Sequence, residues 1–130
     1  PDKQVIAFIG DGGFQMTIQE LGTIMDFNIP VKIIILNNSF LGMVRQWQEM
    51  FFKSRYASTE LKNPDFLTIA KGYNIPGKRV SDRKDLHDSL VTMLEAEGPY
   101  ILDISIDKEG NVLPMVEPGA SVSEVTLKYK

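Results

Sequence analysis

Two short apolar runs, each ending in a polar turn and separated by a helix-patterned segment, constrain this chain more than any other feature. Val5 to Ile9 runs into Gly10-Asp11-Gly12, and Val31 to Leu36 runs into Asn37-Asn38. Both runs are mostly β-branched, which suits strands buried in a parallel sheet. Between them, Thr17 to Phe27 carries Ile18, Leu21, Ile24 and Met25 at helical spacing. A strand, helix, strand unit closes right-handedly and leaves both strand ends at one edge of the sheet. Asp11 and Asn38 are therefore expected side by side, a carboxylate beside an amide oxygen, ready to hold a divalent cation against a phosphate.

The same alternation continues along the chain. Phe40 to Phe52 is helical in pattern, with Met43, Val44, Trp47, Met50 and Phe51 forming a broad apolar surface that must face a core, a pocket or a partner. Lys53 to Lys62 is polar and turn-prone, and reads as a mobile connection. Asn63-Pro64-Asp65 opens a helix through Gly72, Lys78 to Val80 is a short strand, and Ser81 or Asp82 caps a helix to about Ala96. Gly98-Pro99 stops that helix, and Tyr100 to Ile106 is a last apolar strand. Alternating strands and helices predict an α/β fold with an open, mainly parallel sheet flanked by helices, over residues 1–106. Residues 107–130 read as a tail without assigned structure.

A length of 130 residues with 43% apolar content is one domain's worth of chain with enough material for a core. A net charge of -3 argues against nucleic acid or an anionic membrane as partner. With no cysteine there is no disulfide framework and no thiolate metal site, so a reducing compartment is the default. No apolar run reaches membrane-spanning length. The first residue is Pro, and a strand begins within a few residues of it, as expected of a piece of something longer.

A magnesium-bound diphosphate requires about six oxygens in an octahedron, some of them from phosphate. Asp11 offers charge, Asn38 a neutral oxygen, and a carbonyl in the following loop, best that of Phe40, a third protein donor. Gly12 and Gly13 allow the backbone close to an anion, and a helix opening near Thr17 would turn its free N–H groups to the same edge. Each turn alone is common, and the ordinary alternative is two strand-end turns with Asp11 capping the next helix. The pair is far more restrictive, with 24 residues between Gly12 and Asn37.

The segment from Gly10 to Asn38 resembles the thiamine diphosphate motif that begins with Gly-Asp-Gly and ends with paired asparagines. Gly42 to Gln48 (Gly-Met-Val-Arg-Gln-Trp-Gln), Asn63-Pro64-Asp65-Phe66 and Leu113-Pro114-Met115-Val116 resemble the acetohydroxyacid (acetolactate) synthase large subunits in particular. This resemblance implies that Asp11, Asn38 and the Phe40 carbonyl ligate Mg2+. Gly10, Gly12, Gly13, Leu41, Gly42 and Met43 would contact thiamine diphosphate, and Met43 and Trp47 would line the substrate channel. It implies decarboxylation of pyruvate on thiamine diphosphate and transfer of the hydroxyethyl group to pyruvate or 2-ketobutyrate, in branched-chain amino acid synthesis. The activating glutamate is expected in a pyrimidine-binding domain outside this chain, usually of another subunit, and FAD only in a further domain of the parent. The resemblance implies a homo-oligomer, leaves a regulatory subunit open, and fits the cytoplasm or, in a plant or fungus, an organelle.

Other residues carry bland readings. His87 sits among charged neighbours and is expected on the surface, Ser39 has no credible base, and Lys53 and Arg55 are expected as solvated loop charges. Periodicity alone assigns Met43 and Trp47 to core packing; only the resemblance assigns Trp47 to a channel. The rival functions are another thiamine diphosphate decarboxylase or oxidase, and a catalytically silent module that associates through the Phe40 to Phe52 surface.

Overall fold

In the computed structural model, which describes residues 3–128, four parallel strands form one sheet in the order β1-β2-β4-β3. They are β1 (Ile6–Gly10), β2 (Lys32–Asn37), β3 (Gly77–Val80) and β4 (Tyr100–Ser105). Helices α1 (Asp11–Thr17) and α2 (Glu20–Asp26) join β1 to β2. Helices α3 (Gly42–Phe51) and α4 (Phe66–Gly72) lie between β2 and β3, and a 3-10 turn (Arg83–Asp85) with α5 (Leu86–Glu95) leads to β4. The expected open parallel α/β sheet is what the chain forms.

Successive isoleucines in β2 explain the layering, because neighbours along a strand point to opposite faces. Ile33 and Ile35 pack with Phe14, Leu21, Ile24, Phe66, Ala70 and Ile101 under α1, α2 and α4. Ile34 packs with Val80, Met93 and Leu102 under α5. Phe14 and Phe66 meet edge to face, ring centroids 5.2 Å apart, and tie α1 to α4. Lys32 is buried at the start of β2 with its ammonium donating to the carbonyls of Ala96 and Gly98, a cation at the end of α5 that periodicity did not reveal.

The expected Thr17 to Phe27 helix is present as α2, but an unexpected helix, α1, precedes it in a way that matters. Helix α1 begins at Asp11, directly after β1, so Thr17 ends a helix instead of opening one and contributes no free N–H to the sheet edge. Two i to i-3 hydrogen bonds, Leu21 N to Ile18 O and Gly22 N to Gln19 O, tighten the joint into α2. Gly12 and Gly13 each weaken a helix by about 1 kcal/mol, which made the segment read as a turn. Burial of Phe14 overrides that preference.

The Lys53 to Lys62 connection is irregular, yet it is stitched back to the loop after β2. Leu41 N donates to Thr59 O and Leu61 N to Ser39 O, both at 2.8 Å, around an antiparallel pairing of Phe40 with Glu60. The tail also has structure: β5 (Met115–Val116) and β6 (Val125–Thr126) pair antiparallel. Gln46 on α3 holds this tail through the backbone of Val112, accepting from its N–H at 2.7 Å and donating to its C=O at 2.9 Å. Arg45 adds a bond to the Lys108 carbonyl at 3.1 Å. Helix α3 thus buries two polar residues, Arg45 and Gln46, and leaves Met43, Val44 and Trp47 exposed.

Candidate functional site

Parallel register assembles the site. Gly10 stands opposite Leu36, so the residues that follow, Asp11 and Asn37-Asn38, leave adjacent strands at one edge. This is where open α/β sheets bind ligands. A cleft of about 280 Å3 opens there, lined by Gly10, Asp11, Gly12, Gly13, Asn38, Phe40, Leu41 and Gly42 together with Leu36 and Ile106. Met43 and Trp47 lie outside this lining, on the exposed face of α3, where Trp47 stacks edge-on against Phe51 at 5.3 Å. Trp47 is part of neither buried core cluster. His87 is on the surface beside Asp88, as its neighbours predicted.

Asp11 is 1% exposed, and its use is specific. It does not cap α1, whose N-cap is Gly10 without a side-chain bond. Instead Asp11 Oδ2 accepts from Asn63 Nδ2 at 2.6 Å, the sole hydrogen bond to this side chain among the described residues. Among the described residues no buried side-chain oxygen is left without a partner, so Oδ1, which accepts no hydrogen bond there, keeps a little exposed surface in the cleft that Asp11 lines.

The paired asparagines divide the work, Asn37 closing β2 and Asn38 opening the loop that follows. Asn37 turns into the protein: its Oδ1 accepts from Asn63 Nδ2 at 3.1 Å and Ser39 N at 3.2 Å, and its Nδ2 donates to Asp103 Oδ1 at 2.9 Å. Asn38 lines the cleft, and its Oδ1 accepts from Phe40 N at 3.1 Å, leaving a second lone pair. These two side-chain turns hold Ser39 in the left-handed region at φ 58. Phe40 is thereby swung over the cleft, and its carbonyl takes no backbone hydrogen bond among the described residues.

The glycines differ in purpose. A Cβ at Gly12 would press on Leu41 Cδ2 at 3.0 Å and Leu61 Cδ1 at 3.1 Å, and one at Gly13 on Ile9 at 3.2 Å. Both serve the packing of α1 against its surroundings. At Gly10 a Cβ would meet nothing within 4 Å, so there the open space belongs to the cleft.

A network missed in the sequence stands behind the cleft. Gln15 donates to Asn63 Oδ1 at 2.7 Å, Asn63 reaches Asp11 and Asn37, and Asn37 reaches buried Asp103. Arg79 Nε donates to Asp103 Oδ2 at 3.0 Å, and its Nη2 to Asp65 Oδ1 at 3.0 Å. The Asp103 hydrogen bond, foremost, raises the Arg79 pKa above its ordinary value. Thr68, chiefly through its hydroxyl, lowers that of Asp65. Asn63-Pro64-Asp65 carried a helix-start signal, and Asp65 does cap α4; nothing local marked Asn63 as a partner of Asp11 across 52 positions.

One accessible anionic oxygen, one amide oxygen and one unclaimed carbonyl make a hard donor set of low charge, suited to Mg2+ that completes its shell with phosphate and water. Among the described residues no three His, Cys, Asp or Glu side chains gather as a metal site. A cation in this cleft therefore draws further oxygens from a ligand, which is the arrangement a metal-bound diphosphate provides.

A helix-flanked parallel sheet with this cleft at its carboxyl edge defines a class, and the comparison with known families agrees. Residues 1–104 match the thiamine pyrophosphate enzyme C-terminal TPP binding domain, and the chain belongs to that family. Within it, the chain is 47% identical to the acetolactate synthase isozyme 2 large subunit of Escherichia coli (strain K12), over 98% of this chain and 24% of that protein. It is 44% identical to acetolactate synthase 2, chloroplastic, of Zea mays, over 98% of this chain and 21% of that protein. Among solved structures, a thiamine diphosphate-dependent 4-hydroxybenzoylformate decarboxylase of Rhodococcus jostii RHA1 superposes with a TM-score of 0.76 at 31% identity, covering 82% of this chain and 20% of that one. The chain thus spans about a quarter or less of the length of these relatives. No helix among the described residues is long and apolar enough to cross a membrane.

Proposed function

We propose that this chain is the part of an acetolactate synthase catalytic subunit that grips the diphosphate of thiamine diphosphate through Mg2+. The observation that carries the reading is the convergence of Asp11, with one oxygen accessible, and Asn38 on one cleft at the ends of adjacent strands. Asp11 Oδ1, Asn38 Oδ1 and the Phe40 carbonyl would ligate Mg2+, and Gly10, Gly12, Gly13, Leu41, Gly42 and Met43 would contact the cofactor. Bound thiamine diphosphate supplies the electron sink for decarboxylation, while the protein supplies position and electrostatics. Pyruvate and 2-ketobutyrate are the proposed substrates. A pyrimidine-binding domain carrying the activating glutamate, from another copy in a homo-oligomer, is the proposed partner, and FAD belongs to a further domain of the parent. Cytoplasm is the proposed compartment, with an organelle for a plant or fungal source.

The higher identity to the two acetolactate synthases than to the decarboxylase favours this chemistry over its rival. Calorimetric titration with thiamine diphosphate tests it: binding requires Mg2+ and is lost in Asp11→Ala. Equal binding without the cation, or retained binding in that variant, refutes it. The exposed pair Met43 and Trp47 forms part of the proposed channel wall, in reach of a facing domain. Trp47→Leu in the complete enzyme is expected to alter second-substrate preference; an unchanged preference with a lowered thermal midpoint contradicts the channel role.

A further inference from the structure

We propose that Asn63 is a positioning residue that confines Asp11 to one-oxygen coordination and thereby sets the cation preference of the cleft. The inference rests on the cofactor reading above and concerns a residue that the proposed ligand set does not include.

The orientation of the whole network follows from its two ends. Carboxylates only accept, so Asn63 must present its NH2 group to Asp11, and Asn37 its NH2 group to Asp103. Asn63 then has its carbonyl directed at Gln15, which donates at 2.7 Å, and its second N–H directed at Asn37 Oδ1 at 3.1 Å. Every hydrogen-bonding group of the Asn63 amide is satisfied, and none can be exchanged without setting two donors or two acceptors against each other. The amide is thus a fixed clamp, and the bond it makes to Asp11 Oδ2 is the shortest in the network at 2.6 Å.

A carboxylate turns readily about its terminal torsion, which has broad minima. Held at Oδ2, Asp11 can offer the cleft only Oδ1. Single-oxygen donation suits Mg2+, which demands a near-ideal octahedron, whereas Ca2+ accepts more oxygens at longer distance and takes carboxylates in either mode. Freed of Asn63, Asp11 could offer both oxygens. Mg2+ would lose an ordered donor, while Ca2+ would recover by two-oxygen binding part of what it lost in order. A residue that only supports the fold would weaken both cations alike.

The test is calorimetric titration of thiamine diphosphate into the 130-residue chain at saturating Mg2+ and, separately, saturating Ca2+, for the unaltered chain and Asn63→Leu. Mg2+-supported affinity is expected to fall about tenfold or more, as for other groups that orient a metal ligand, and Ca2+-supported affinity by less than about threefold. An equal fall with both cations, or no fall with either, overturns the proposal. If Asn63→Leu shows no cooperative melt, Gln15→Met decides: it keeps Asn63 but removes the group that orients its amide. A shift of the Mg2+ to Ca2+ ratio in the same direction supports the role, and an unchanged ratio overturns it. Failure of the unaltered chain to bind with either cation is a separate result, which overturns the cofactor reading and this proposal together.

Discussion

Substituting Gln46 tests how the tail is held over α3. Gln46 is 2% exposed and makes two backbone hydrogen bonds to Val112, at 2.7 and 2.9 Å. Gln46→Leu keeps side-chain volume and helix propensity while removing both. Neutral hydrogen bonds contribute about 0.5–1.5 kcal/mol each, so the docked tail loses roughly 1–3 kcal/mol. At about 1.4 kcal/mol per factor of ten, the open population rises roughly 5- to 150-fold. None of the buried residues of either core cluster comes from the tail, so the loss is local and the global melt is expected to change little. Trypsin cleavage after Lys108, whose carbonyl is itself bonded to Arg45, reads the open population when opening is fast relative to cutting. The reasoning is refuted if cleavage after Lys108 is unchanged in Gln46→Leu, or if the whole domain melts with the tail.

Two further outcomes follow from burial and from charge. Phe66→Ala, at a fully buried site that joins α4 to α1 through Phe14, is expected to destabilise by about 3–5 kcal/mol in urea unfolding; a loss below about 1 kcal/mol contradicts the packing described. Asp65 caps α4, and its pKa is lowered from 3.8, first by the Thr68 hydroxyl. Because the folded value is the lower one, this stabilisation is present above the unfolded value and is lost as pH falls through the folded one. The gap in thermal midpoint between the unaltered chain and Asp65→Ala should be full at pH 6 and close below the ordinary 3.8; a gap that widens on acidification has the wrong sign.

Strand and helix periodicity made most of the architecture legible. β2, β3, β4, α3, α4 and α5 lie within a few residues of the expected boundaries, since alternating apolar runs and capping residues are local signals. The expected Thr17 to Phe27 helix is α2, but α1 before it went unread because local glycine content argued against what Phe14 gains by burial. The structured tail went unread because Gln46 meets Val112 across 66 positions, and no window of sequence contains both.

At the site, sequence alone put the candidate donors on offer: a carboxylate and paired asparagines, each closing an apolar run, single out Asp11 and Asn38, and the family resemblance adds the proposed metal role. Only the tertiary structure decided how those side chains are held and which of them line the cleft. Register set Asp11 beside Asn37, the αL turn at Ser39 swung Phe40 over the cleft, and the segment leading into α4 delivered Asn63 to the carboxylate. Residue type is local information, whereas the direction in which a side chain points is fixed by the partners that folding brings to it.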